Sequence, residues 1–318
     1  MTGPDEDLAD RGDPLARLVR AVDRSEPADP TLPASMRAGP AGEAAAAGEV
    51  LAVYSPKGGV GTSLLASRLA LAAAVYSPLH TALVDLNPAG GDAPTISGVV
   101  LARSLLELLA DEHDVSRPPV GQLVELHPCG LEVAGPLPLD PAADRCTAEA
   151  VAPLLARLRA AYDLVVADLP ARIDDWTVTL LAAADRTLLV TVPERPCLRQ
   201  VRALVGGLRA HGYPLDHLLL LHNMDDGKGA AAAAADLQLP LAGVIPSAPS
   251  AVRGAVNGDQ DPVEQLAQGP VGRAVCDLAR ALWPAHMTLA PSGRGGRRHR
   301  RRAAHPGGQP TDLAAGRP

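Results

Sequence analysis

The chain has 318 residues, 47% of them hydrophobic but only 2% aromatic, with no Phe, so an ample core is available and must be built from Leu, Val and Ala. A net charge of −7 argues against a globally basic nucleic-acid binder. The four cysteines (Cys129, Cys146, Cys197, Cys276) are too dispersed for a metal or redox pair, and no apolar run reaches the roughly 18–20 uncharged residues of a membrane span. With no secretory signal, these features imply a soluble protein of a reducing cytoplasm.

Residues 1–48 are rich in Pro, Ala, Asp and Gly and read as a disordered arm. Leu15, Leu18, Val19 and Val22 have helical spacing within it, as a transient helix or a short docking helix would. From Glu49 the pattern changes. Short apolar runs at Val50–Tyr54, Ala82–Leu86, Leu131–Ala134, Leu164–Ala167, Thr187–Val192, Leu218–Leu221 and Ala242–Ile245 read as strands buried on both faces. Helical segments are expected between most of them, at Ser63–Val75, Ser104–Ala110, Thr147–Ala161, Asp174–Ala184, Pro196–His211 and Ala230–Leu237, with Val271–Leu282 closing the domain. Repeated β-α-β units imply an α/β fold, a doubly wound and mostly parallel sheet flanked by helices, over residues 49–287. The remainder, 288–318, is a basic tail whose cluster at 294–302 lacks an apolar stripe. It reads as solvated and disordered, with weak attachment to anionic membrane or nucleic acid as the functional alternative.

Between the first strand and the first helix lies Ser55-Pro-Lys57-Gly58-Gly59-Val60-Gly61-Thr62-Ser63. A strand, a Gly-rich turn and a helix in that order are what a phosphate loop requires. Glycines let the backbone curl around an anion, and the helix N-terminus adds unpaired N–H groups and a partial positive charge. Ser63 falls where a hydroxyl ligates Mg²⁺. The common pattern G-x-x-x-x-G-K-[ST] has Lys where this chain has Thr62, and a different lysine, Lys57, stands at the start of the loop. Two further carboxylates end apolar strands: Asp85, in Leu83-Val-Asp-Leu-Asn87, and Asp168, in Asp163-Leu-Val-Val-Ala-Asp168-Leu-Pro170. Strand C-termini are where ligands bind in open α/β sheets.

Lys57-Gly-Gly-Val-Gly closely resembles the deviant phosphate loop of the ParA/MinD superfamily, and the resemblance runs from about Glu49 to Trp283. It implies ATP held with Mg²⁺ by Lys57, Gly58, Gly59, Val60, Gly61, Thr62 and Ser63. It further implies that Lys57 reaches the nucleotide of a partner subunit in an ATP-sandwiched homodimer. Asp85 and Asn87 then match the family's D-x-D segment, with Asn87 unable to accept a proton. Asp168 matches the Walker B aspartate, so that Ser63, Asp85 and Asp168 attend the metal. Asn223, at the end of Leu218–His222, matches the adenine-reading Asn, and Pro246 the segment lining the base. Several stretches, among them Gly130-Leu-Glu-Val-Ala-Gly-Pro136 and Pro193-Glu194, are similar to the CpaE/TadZ branch. That branch implies positioning or assembly of a Flp-type pilus or secretion machine, in the cytoplasm or peripherally at the inner membrane face or cell pole. Chromosome or plasmid partition and division-site regulation are the alternatives, each with its own partner protein. Without a cation at Thr62 or a carboxylate at Asn87, slow ATP hydrolysis is expected, with a scaffold that stays ATP-bound as the other class.

Overall fold

The computed structural model describes residues 48–110, 118–210, 212–225, 229–256 and 261–288. The arm, its expected helix over 15–22 and the basic cluster at 294–302 lie outside the described residues. Eight strands form one sheet in the order β3-β4-β2-β5-β1-β6-β7-β8. They are β1 (Glu49–Tyr54), β2 (Thr81–Asp85), β3 (Glu125–Leu126), β4 (Glu132–Ala134), β5 (Leu164–Asp168), β6 (Arg186–Thr191), β7 (Leu218–His222) and β8 (Leu241–Val244). Every pairing is parallel except β3 with β4. The seven expected strands are all present. The two-residue β3 carries no alternation long enough to read in sequence.

The near-continuous apolar runs are explained by what covers them. The central strands β1 and β5 are buried almost throughout, because helices pack on both faces of the sheet. Helix α1 (Thr62–Tyr76) crosses from β1 to β2 in one direction along the sheet. Helices α3 (Ala148–Ala161), α4 (Asp175–Ala183), α5 (Arg195–Ala210) and α6 (Ala230–Leu237) cross in the other. Right-handed crossovers put these two groups on opposite faces. On the α1 face lie α8 (Pro262–Ala267) and α9 (Gly269–Leu282), both packed against α1. Nine consecutive residues of α1, Leu65 to Ala73, are buried. A helix buried on all sides belongs in a core, its run of Ala and Leu permits close approach, and the two polar residues of the run, Ser67 and Arg68, are hydrogen-bonded.

Three short helices were not apparent from periodicity: α2 (Ala93–Ile96), α7 (Pro249–Val256) and α8. Each carries Pro in its first turn, which supplies a helix start but too few residues for a 3.6-residue repeat to show. The expected helix at Ser104–Ala110 is instead a tight 3₁₀ turn over Leu105–Leu109, with the Ser104 hydroxyl accepting from the Leu106 N–H at 3.0 Å. The described chain closes on itself where Thr288 donates its backbone N–H to the Tyr76 carbonyl at the end of α1, at 2.7 Å.

Candidate functional site

The C-terminal ends of β1, β5 and β2 sit side by side. Val53 pairs with Asp168, and Asp168 with Asp85, in parallel register. The turn after β1 therefore emerges beside both carboxylates. Gly59 and Gly61 have φ of 78° and 91°, left-handed values that a side chain would strain. At Gly61 there is a second reason for glycine, since a Cβ would lie 2.8 Å from Asn223 Nδ2. Gly61 is also the N-cap of α1, and its carbonyl accepts the first helical bond, from Leu65 N–H at 3.0 Å. Among the described residues, no backbone N–H from Gly58 to Leu64 finds an acceptor. Seven successive donors thus stand unpaired at one turn, reinforced by the positive end of a 15-residue helix. That is the electrostatics of an anion cradle.

The carboxylates beside it make the complementary demand. Asp85 is fully buried and accepts from the N–H groups of Asn87 (3.0 Å) and Ala93 (3.2 Å). Burial pushes its carboxyl up to about 6, the two backbone bonds oppose this, and the charge of Asp92 adds to it. Asp168 is raised well above the usual carboxylate range, by burial first and by Asp85 next, while the Ser63 hydroxyl bonded to it acts in the other direction. Its Oδ1 is buried with no hydrogen-bond partner. Two buried like charges with an orphaned oxygen are unfavourable alone and favourable around a cation. No group of three or more His, Cys, Asp or Glu side chains among the described residues can hold a metal by itself. The donor set fits Mg²⁺, which keeps several waters and binds through one or two carboxylates together with substrate phosphates. Ser63, Asp168 and Asp85 are the residues that would hold it.

The other sequence-identified residues divide into two groups. Asn223 and Pro246 line the same cleft as Gly59, Gly61, Thr62 and Ser63, a cavity of about 1060 Å³. Asn223 also staples the loop: its Nδ2 donates to the Val60 carbonyl at 2.8 Å, and its Oδ1 accepts from Met224 N–H at 2.9 Å. Met224, with φ 55°, adds an apolar wall beside Ile245. Two residues turn away from the cleft. Lys57 Nζ donates to the adjacent Gly58 carbonyl at 3.4 Å on the exposed side of the loop. Asn87 folds its own turn, its side chain donating to Gly90 O at 3.4 Å and accepting from Ala89 N–H at 3.3 Å.

Some contributors were not identified from sequence. Gly91 and Gly135 cradle Asp85: a Cβ at Gly91 would lie 2.0 Å from Asp85 Oδ2, and one at Gly135 would lie 2.9 Å from Asp85 Cβ. The pair Gly90-Gly91 ahead of Asp92 was the available signal. Arg68 and Arg253 both line the cleft, and nothing in their local sequence marks them.

No protein-family model matches the chain, and no curated protein matches it either. Solved structures do match. A ParA family ATPase from Chlorobium tepidum is 22% identical with a TM-score of 0.64, over 73% of this chain and 98% of that one. The septum site-determining protein MinD from Pyrococcus horikoshii, complexed with Mg-ADP, is 18% identical with a TM-score of 0.63, over 74% and 95%. A Cyanothece McdA–ATP complex is 17% identical with a TM-score of 0.59, over 74% and 96%. The likeness at these identities is one of fold, the mostly parallel, helix-flanked sheet of the ParA/MinD P-loop NTPases.

Proposed function

We propose that this chain is an ATP-binding protein of the ParA/MinD type that works as an ATP-dependent dimer switch with slow hydrolysis. The observation that carries this reading is the run of unpaired N–H donors from Gly58 to Leu64 set against the buried Asp85–Asp168 pair. One part attracts a polyphosphate and the other a divalent cation, and the register of β1, β5 and β2 sets the two side by side. The nucleotide complexes of the P. horikoshii and Cyanothece proteins support the same assignment.

In this reading the loop amides hold the phosphates, and Asn223 keeps the loop in the shape that aims them. Met224, Ile245 and Pro246 exclude water from the base. Ser63, Asp168 and Asp85 hold Mg²⁺, which when bound neutralises charge on the phosphate oxygens. Lys57, facing out of its own loop, is free to meet the nucleotide of a second copy. Hydrolysis is slow for reasons visible in the residues. Thr62 provides no cation, and loss of a charge-stabilising group costs on the order of 10²–10³ in rate. Asn87 cannot accept a proton and is engaged in its turn.

The test is equilibrium ATP binding, with and without Mg²⁺, alongside sedimentation of the wild type and Lys57→Ala. The expected result is retained ATP binding with loss of the ATP-dependent dimer in the variant. Turnover at tens per second by the purified chain would overturn the slow-switch reading. For the cellular role we infer positioning or assembly of a Flp-type pilus or secretion machine, resting on the CpaE/TadZ-like segments. Neighbouring pilus-ATPase and prepilin genes would support it. The ParA and MinD likenesses favour partition or division-site regulation as the second reading, and a neighbouring gene for a centromere-binding partner would decide for partition.

A further inference from the structure

The phosphate end of the cleft is short of positive charge. ATP brings three or four negative charges to a site that already contains Asp85, Asp168 and Asp92, and position 62 provides a hydroxyl instead of an ammonium. Lys57 is directed outward. Among the described residues lining the cleft, two carry a cation, Arg68 and Arg253. Arg68 is 4% exposed and already engaged. Its Nη1 donates to Pro262 O at 2.8 Å and its Nη2 to Gln265 Oε1, so its charge is fixed in the seam between α1 and α8.

Arg253 differs in each respect. It is exposed, and no described residue offers it a hydrogen bond or an ion pair. It sits on α7, which starts three residues after Pro246 and packs against α2, so the helix spans from the end of β8 to the helix that follows Asp92. Arg253 lines the same cleft as Gly59, Gly61, Thr62 and Ser63. A guanidinium presents a rigid fork of donors that matches phosphate oxygens and is always charged.

We infer that Arg253 supplies to the nucleotide phosphates the positive charge that position 62 lacks, making it a positioning residue for the phosphate chain delivered by the covering helix. This rests on the nucleotide reading of the cleft. It accounts for how a loop without its own inward cation retains a polyphosphate.

The test is calorimetric titration of ATP, ADP and adenosine into wild type, Arg253→Ala, Arg253→Lys, Thr62→Lys and the double variant Thr62→Lys/Arg253→Ala. Removal of an exposed side chain with no partner among the described residues leaves the fold intact, which thermal unfolding checks. For Arg253→Ala the expected result is an ATP affinity about 10- to 100-fold weaker, the range of one charge-assisted contact. Adenosine affinity should be unchanged, and Arg253→Lys should retain part of the ATP affinity. In the Thr62→Lys background the loss from Arg253→Ala should shrink several-fold, because the two cations serve the same oxygens. An unchanged ATP affinity in Arg253→Ala, an equal loss for adenosine, or an undiminished loss beside Thr62→Lys would each overturn the inference. A wild-type chain that binds no ATP fails the nucleotide reading itself, and the first titration registers that separately.

Discussion

The two ends of the cleft are built differently. At the phosphate end, the adjacent strands β1, β5 and β2 of the buried sheet centre set the loop leading to Ser63, Asp168 and Asp85 side by side, and Gly91 and Gly135 close around Asp85 with no room to spare. At the covering end, the wall is Met224, the 245–250 segment and α7, which follow β7 and the edge strand β8. There β7 and β8 shift register between Leu220 and Leu221, and Leu241 is 39% exposed. One end is specified by backbone register and steric exclusion, the other by which loop lies over which helix. In the proposed function, recognition of an anion and a cation therefore belongs to the core of this protein, whereas grip on the rest of the nucleotide is added from its periphery.

If that division holds, damage at the phosphate end should cost both fold and binding. The largest effect is expected for Gly91→Ala. Its Cβ would fall 2.0 Å from Asp85 Oδ2, and Asp85 has nowhere to retreat. A loss of about 2–4 kcal/mol in urea denaturation, with ligand binding abolished, is the expected outcome. A variant as stable as wild type would break the comparison.

Asp168→Asn should separate the two roles of the same region. Removing a carboxyl whose ionisation burial and Asp85 oppose is expected to stabilise the ligand-free chain by about 1–2 kcal/mol at pH 7, while the Mg²⁺ dependence of ATP binding disappears. The sign with pH follows from the direction of the shifts. Both carboxyls are raised, so the folded chain keeps protons that the unfolded chain has released. Their contribution is fully present below the ordinary value of 3.8 and is lost as pH rises through the folded value, about 6 for Asp85. Denaturation midpoints of the ligand-free wild type should fall across that window, and the fall should be shallower in Asp168→Asn.

The smallest effect is expected where the two ends meet. Asn223→Ala removes the buried bond to Val60 O and leaves that carbonyl unpaired. A loss of about 1–2 kcal/mol in stability and about tenfold in ATP affinity is expected. Affinity lost with no change in stability would mean that Asn223 acts on the ligand alone and that the boundary between the ends lies elsewhere.

The same division explains what could be read from sequence. The strands, the glycine turn and the paired aspartates were legible because each rests on local chemistry: apolar runs for buried strands, glycine for positive φ, and carboxylates at strand ends. Gly91 and Gly135 were not legible as a cradle, since the need for them arises when residues 85, 91 and 135 meet in space. Arg253 was silent for the same reason, its meaning depending on a helix of eight residues crossing the cleft. Asn87 was placed beside Asp85 by its resemblance to the D-x-D segment, and its side chain is hydrogen-bonded within its own turn, a contact that the resemblance does not express.

The sheet also limits how copies of this chain meet. One edge strand, β3, is two residues long and antiparallel, and the other, β8, is four residues long beside a register shift. Edges so short offer almost no row of free backbone groups for a neighbour to extend. Among the described residues, the sheet edges therefore offer little template for strand-by-strand growth. The proposed ATP-dependent pairing would instead use the loop-bearing end of the sheet, where Lys57 projects, and a contact made face to face across one such end closes at two copies.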